Sequence, residues 1–224
     1  EKVIDKGFKI AFLELASMIT TSGDKKKIEN TSLSTIKGLI DSFTMSDERF
    51  INNKYYVTFN VNFNKKNTLN FFENKNIFPS ILKKKDLLLI PIMVDLQSDQ
   101  ISLFTNNIFY EKWNNDNERY YLLNYILPSE DLEDVDLLSQ NSKSIEDYDF
   151  KKIIRKYDLN DFIIAIIYKN NNELTVLSKI QLNQTFKINN QKFKTIDLFE
   201  EKDLNLILVN LKTTYENYWK NINQ

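Results

Sequence analysis

Apolar residues recur at spacings of three and four from Ile4 to Ile19, through Phe8, Ala11, Phe12, Leu15 and Ala16. One stripe at that period predicts an amphipathic helix over residues 4–19, with Gly23 just past its end as a left-handed cap. Residues 25–30 read as a polar loop, and residues 33–39 as a short helical turn capped by Ser32. The period then changes to two. Tyr55, Val57, Phe59, Val61 and Phe63 alternate with Tyr56, Thr58, Asn60 and Asn62, which predicts a strand with one buried face. Asn52 and Asn53 supply a tight turn, because asparagine tolerates the left-handed backbone, so residues 40–51 are the partner strand. A helix over 65–75 follows, capped by Asn64, with Leu69 and Phe72 turned inward. Two strands make a poor sheet, since roughly three or more are needed. A further strand is therefore expected, upstream of Glu1 or from another element.

Pro79 and the polar run 83–86 mark a boundary. Residues 87–94 are continuously apolar, the signature of a strand buried on both faces. The pattern then predicts a short strand at 101–104, a helix at 108–113, and a strand at 120–127 ended by Pro128. Helices follow at 132–138 and within 145–157. Strands at 162–168 and 174–182 flank a turn at 170–172, and another strand is expected over 186–196. Leu204, Ile207, Leu208, Leu211, Tyr215, Tyr218 and Trp219 form a last helical stripe that starts near Asp203. There is no internal repeat. Strands alternating with helices imply a mixed α+β or α/β class: an N-terminal α-β-β-α subdomain over 1–80, then a three-layer mixed-sheet α/β domain over 84–224.

Composition narrows the chemistry. Apolar residues are 42% and charged residues 27% of the 224, so a folded core is expected. Thirty basic residues against 31 acidic leave a net charge of −1, which argues against nucleic acid or an anionic membrane as a partner recognised by bulk charge. No apolar run approaches the roughly 20 residues of a membrane span. With no histidine and no cysteine, the chain lacks the side chains for triads, thiol catalysis and zinc or haem ligation. None of the three glycines, Gly7, Gly23 and Gly38, sits in a strand–loop–helix phosphate fingerprint. The abundance of Asn, Lys and Ile reads as codon bias of an AT-rich genome. Absence of cysteine suits a secreted protein without disulfides and a cytosolic one equally. The chain opens on Glu1 inside a helical pattern, without methionine or signal peptide, and reads as a fragment or a processed form.

Five stretches occur in a suggestive order: KGFKIAFLELASMIT, LIDSFTMSDERFINNKYYVTFNVNFN, LLLIPIMVD, YEKWNN and ILPSEDLEDVDLL. Together they resemble the proteobacterial domain-of-unknown-function family numbered two thousand and sixty-six, over residues 6–168. The resemblance implies an exported, periplasmic or secreted protein with no established activity, and a strand before the first helix. One departure is that the glycine of the family's Pro-x-Gly-Asp motif is Glu130 here. The second half also looks like the small α/β domains of envelope accessory lipoproteins, an analogy of fold alone.

Glu130, Asp131, Glu133, Asp134 and Asp136 form the leading candidate site. They follow Pro128 at a strand's carboxyl end, where α/β ligands bind, and clustered carboxylates suit Ca²⁺ or Mg²⁺. The calcium-loop glycine is missing, and acids after a capping Ser129 equally describe an ordinary helix start. Trp113, beside Phe109 and Tyr110, is a candidate partner anchor or a core side chain; Trp219 and Tyr218 invite the same two readings. Asp47, Glu48 and Arg49 near the hairpin offer acid–base chemistry or a local ion pair. The lysine runs 25–27 and 83–85 read as solvated loops. No catalytic residue, metal ligand or cofactor is assigned. The candidate ligand or partner residues are Trp113, Ser129, Asp131 and Asp134. The expected function is a non-enzymatic protein–protein interaction or assembly module with an envelope partner, which requires an exposed apolar patch. The alternative is a carboxylate-based binder of a small ligand or divalent cation, or a hydrolase, which requires a deep pocket lined by Asp131, Asp134 or Glu48.

Overall fold

The first apolar stripe winds into helix α1 (Lys2–Ile19) and buries Phe8, Phe12, Ala16 and Ile19 on one side. A computed structural model describes residues 2–115, 121–194 and 197–224. The chain divides into two compact units, residues 1–83 with 216–224, and residues 84–215.

In the first unit α1 is followed by α2 (Lys25–Ile28), α3 (Leu33–Gly38), β1 (Ile40–Ile51), β2 (Lys54–Phe63) and α4 (Lys65–Glu73). The run read as a polar loop is thus partly the short helix α2, because its Ile28 is buried in the core. Gly23 has no positive φ and does not act as a left-handed cap. Ser32 caps α3 by accepting from Thr35 N, and Asn64 caps α4 by accepting from Asn67 N. β1 and β2 pair antiparallel across Asn52 and Asn53, both left-handed at φ 49° and 60°. Among the described residues no third strand joins them. A helix does the covering instead. Phe8 of α1 sits edge-on to Phe43 at 4.9 Å and to Phe59 at 6.4 Å. Gly7 makes this approach possible, since a Cβ there would lie 3.1 Å from the Phe59 ring. Deeper in, Phe12 stacks on Phe72 at 6.3 Å among Ile28, Ile36 and Ile77.

The second unit is built on a six-stranded sheet of order β4-β3-β6-β7-β8, with β5 also beside β3. Its elements are β3 (Lys85–Asp95), β4 (Gln100–Ser102), α5 (Ile108–Lys112), β5 (Leu123–Ile126), α6 (Leu132–Gln140), α7 (Lys151–Arg155), β6 (Phe162–Asn170), β7 (Glu173–Leu182) and β8 (Thr185–Phe193). The last helix, α8 (Glu201–Asn221), supplies residues to both units. β3 runs parallel to β5 and β6, while β4, β7 and β8 make antiparallel pairs. The mixed α+β class read from the sequence is therefore the observed one. Some bounds shift. The strand expected at 101–104 is shorter, because Phe104 enters a 3₁₀ turn with φ 49°. The strands expected at 120–127 and 186–196 are Leu123–Ile126 and Thr185–Phe193, and Tyr120 and Ile196 lie outside the described residues.

Both faces of the central strands are covered. Leu88, Ile90, Ile92, Ile164 and Ile166 pack with Leu138, Ile145, Phe150 and Ile153 from the α6–α7 side. On the opposite face Tyr215 of α8 pairs its hydroxyl with Ser178 of β7 at 2.8 Å, and both are fully buried. The aromatic core of the first unit gives a direct test. Phe12→Ala removes a fully buried ring and is expected to destabilise the protein by about 3–5 kcal/mol, read as a lower urea midpoint.

Candidate functional site

After β5 the chain turns at Pro128 and enters α6 through an acidic segment. The helix cap is Asp131, not Ser129. Asp131 has extended backbone, and its Oδ1 accepts from Glu133 N at 2.9 Å and Asp134 N at 3.4 Å. Ser129 lies two residues too early, and its backbone N–H donates to the Tyr157 hydroxyl at 2.7 Å. Tyr110 braces the same turn by donating to Pro128 O at 2.8 Å.

Two of the expected acids converge on a lysine. Lys156, one residue past α7, places Nζ 2.7 Å from Asp131 Oδ2 and 2.7 Å from Asp134 Oδ1. Lys152 pairs with Glu133 from the same side. The Lys156 hydrogen bond is the main reason Asp131 is held below the usual carboxylate range. The two carboxylates push Lys156 well above the usual ammonium range, Asp131 contributing first. Asp134 is 1% exposed, and its Oδ2 has no partner among the described residues. That side chain borders a cavity of about 10 Å³ walled by Ile90, Pro91, Leu103, Phe104 and Pro128. Such a volume is about one water molecule's worth, far below the roughly 300 Å³ at which small-molecule sites begin.

The arrangement ties α6 to α7 and leaves little chemistry free. Among the described residues no group of His, Cys, Asp and Glu is placed to hold a metal ion. The lysines were the part of this cluster not singled out from the sequence. Their spacing was the available signal, since Lys152 and Lys156 are four apart and share a helix face.

Trp113 is fully buried rather than offered to a partner. It stacks on Tyr215 at 6.1 Å and meets Tyr125 edge-on at 5.4 Å. Trp219 is buried too, and its Nε1 donates to Lys83 O at 2.9 Å. Lys85 is no solvated loop residue, because it opens β3 and pairs with the largely buried Asp161.

The hairpin acids sit in an irregularity. The β1–β2 register shifts between Ser46 and Arg49, and Asp47 has a φ of 54°. Two residues of β1 therefore crowd opposite one of β2, a bulge. Tyr55 donates its hydroxyl to Glu48, which raises the tyrosine's pKa. An open groove of about 420 Å³ runs past Asp47, Arg49, Ile51, Tyr56, Val57 and Thr58. Glu48 is not among its lining residues, and Asp131 and Asp134 belong to a different part of the fold. No family model matches the sequence, and neither a curated protein nor a solved structure does.

The clamp predicts a pH signature. Asp131 titrates lower folded than unfolded, so the unfolded chain takes up the proton first and this contribution is lost as pH falls below about 4. Lys156 titrates higher folded, so its contribution is intact below about pH 10.4 and lost only as pH rises through the folded value. Lys156→Met is expected to flatten the acid limb of stability against pH. At pH 7 it strands the buried Asp134 carboxylate at a cost of about 3–5 kcal/mol. Asp131→Asn keeps a competent cap and is expected to cost less. Urea unfolding at a series of pH values reads both.

Proposed function

We propose that this protein is a non-enzymatic interaction or assembly module that meets its partner through the β1–β2 ribbon. One observation carries the reading: beyond the stretch that α1 covers at Phe43 and Phe59, the ribbon is richly apolar and exposed. Phe43 and Met45 are about two-fifths exposed, Tyr55 and Tyr56 about half, and Phe50 is 71% exposed. Opposed pairs share a face of an antiparallel ribbon, so Phe50 and Tyr55 extend the apolar row of Met45 with Phe59 and Phe43 with Val61. Apolar rows left open in this way mark interaction surfaces, and aromatic side chains are the usual anchors of such contacts.

The location belongs to the same proposal. It rests only on the order of the five stretches over residues 6–168, since no family model matches the sequence, and it names a partner in the bacterial envelope. No helix among the described residues is long and apolar enough to cross a membrane. The carboxylate-based alternative finds less support, since its two central acids are engaged by Lys156 beside a cavity of about 10 Å³.

Affinity capture with the full chain tests the reading. Phe50→Ser with Tyr55→Ser changes exposed side chains and is expected to move stability by less than about 0.5 kcal/mol each. The partner retained by the wild type is expected to be lost with this pair. Retention at equal yield would reject the ribbon as the contact.

A further inference from the structure

The β1–β2 ribbon has a second face, opposite its apolar row. Residues opposed across an antiparallel pair share a face, and alternate positions of one strand lie on that face. Ser42 with Asn62, Thr44 with Asn60, Ser46 with Thr58, and Arg49 with Tyr56 therefore line the side away from Phe43, Phe59 and α1. All eight are exposed. A face kept only soluble would draw on the charged residues that make up 27% of the chain, yet Arg49 is the one charge among these eight, and six of them carry a hydroxyl or an amide. Asn62 donates to Ser42 at 3.1 Å, and Ser46 donates to Asp47 at 3.3 Å. The side chains of Thr44, Thr58, Asn60 and Arg49 have no hydrogen-bond or ionic partner among the described residues.

This ladder of uncharged groups runs into the groove of about 420 Å³ beside the bulge, a volume within the roughly 300–1,000 Å³ of small-molecule sites. Asp47 offers acceptors there, Arg49 a planar fork of donors and Thr58 both. The Tyr56 ring is half-exposed in the same groove. Asp47 and Arg49 cancel in charge, so the groove favours neither an anion nor a cation. An occupant of matching chemistry is uncharged, carries donors and acceptors on neighbouring atoms, and has an apolar face to lie on an aromatic ring. A sugar meets all three conditions, since its vicinal hydroxyls donate and accept while its C–H groups form an apolar face. From Tyr56 to Asn62 the face extends about 20 Å at about 3.4 Å per residue, which suits a chain of sugars rather than a single one. A peptide strand would instead bring its hydrogen bonds to an edge of the ribbon.

We infer that this face binds an uncharged oligosaccharide. One sugar unit stacks on Tyr56 within reach of Asp47 and Arg49, and further units lie along the Ser46–Thr58, Thr44–Asn60 and Ser42–Asn62 pairs. The inference goes beyond the interaction reading and uses the opposite side of the ribbon from Phe50 and Tyr55. A sugar on one side and a protein on the other do not compete.

Isothermal titration calorimetry of the full chain with maltohexaose, cellohexaose and chitohexaose tests this. At least one is expected to bind with a Kd below about 1 mM, and with an affinity that changes by less than about twofold between low and high salt, because the ligand carries no charge to screen. Tyr56→Ala and Arg49→Gln are each expected to weaken that binding about tenfold or more. Tyr56→Phe keeps the ring and is expected to weaken it less than about threefold. Phe50→Ser with Tyr55→Ser is expected to leave it unchanged. Absence of binding by all three sugars at about 5 mM overturns the inference. So does binding that survives both Tyr56→Ala and Arg49→Gln in chains folded by circular dichroism. Should Tyr56→Ala fail to fold, Arg49→Gln decides alone. If no sugar binds and a captured protein is lost with Tyr56→Ala, the sugar inference falls and the face belongs to a protein contact. If a sugar binds as expected but the Phe50 and Tyr55 pair loses no captured protein, the interaction reading falls and the sugar inference stands.

Discussion

Strand β3 has no face to give to solvent. From Leu87 to Ile90 its side chains are 0–2% exposed, and it pairs with β4, β5 and β6. A strand buried on both sides must find cover above and below, and α6, α7 and α8 are arranged around that requirement. The division of its outer edge is a further consequence. β5 pairs with residues 85–88 and β4 with residues 93–95, so the edge between them has no strand partner among the described residues. Pro91 lies in that gap, where a residue without an N–H forfeits nothing. Its carbonyl accepts from the fully buried Asn107 at 3.1 Å. Asp134 and Phe104 gather at the same break.

Periodicity made the elements legible. The alternation at Tyr55–Phe63 marks a strand, but its apolar face is only half-buried at Val57, Phe59, Val61 and Phe63 and is open at Tyr55, whereas the unbroken run at Leu87–Val94 does report burial on two faces. Caps were legible only where the side chain and its target are close in sequence, as with Ser32 and Asn64. At the acidic segment Ser129 and Asp131 both have capping chemistry, and the choice depends on where Tyr157 and Lys156 arrive from. Those contacts span 28 and 25 residues, beyond the reach of local pattern. The cover over the β1–β2 ribbon was illegible for the same reason. The apolar face of the ribbon says that something packs there, and only the tertiary arrangement says that it is α1.

The two halves of the functional question have opposite outcomes in this fold. The acids that looked most like a site are absorbed by a lysine, and the tryptophan that looked like an anchor holds an aromatic core together. Carboxylates neutralised in this way are poor ligands for anything else, because an incoming cation would have to displace an ammonium group already at 2.7 Å. What stays available is backbone and apolar surface, the ordinary means by which proteins recognise one another.

Scarcity of glycine has a quieter effect. Ten described residues adopt positive φ and none is glycine; seven of them are aspartate or asparagine outside the ribbon bulge and its turn, or the pair Phe104 and Gln184. Asparagine reaches the left-handed region with less backbone freedom to lose than glycine has. Each hairpin in this chain thus begins from a more restricted unfolded ensemble. The loops it must close are short, so the entropy of closure is small as well. The turns of this chain are in this way stiff before they are folded.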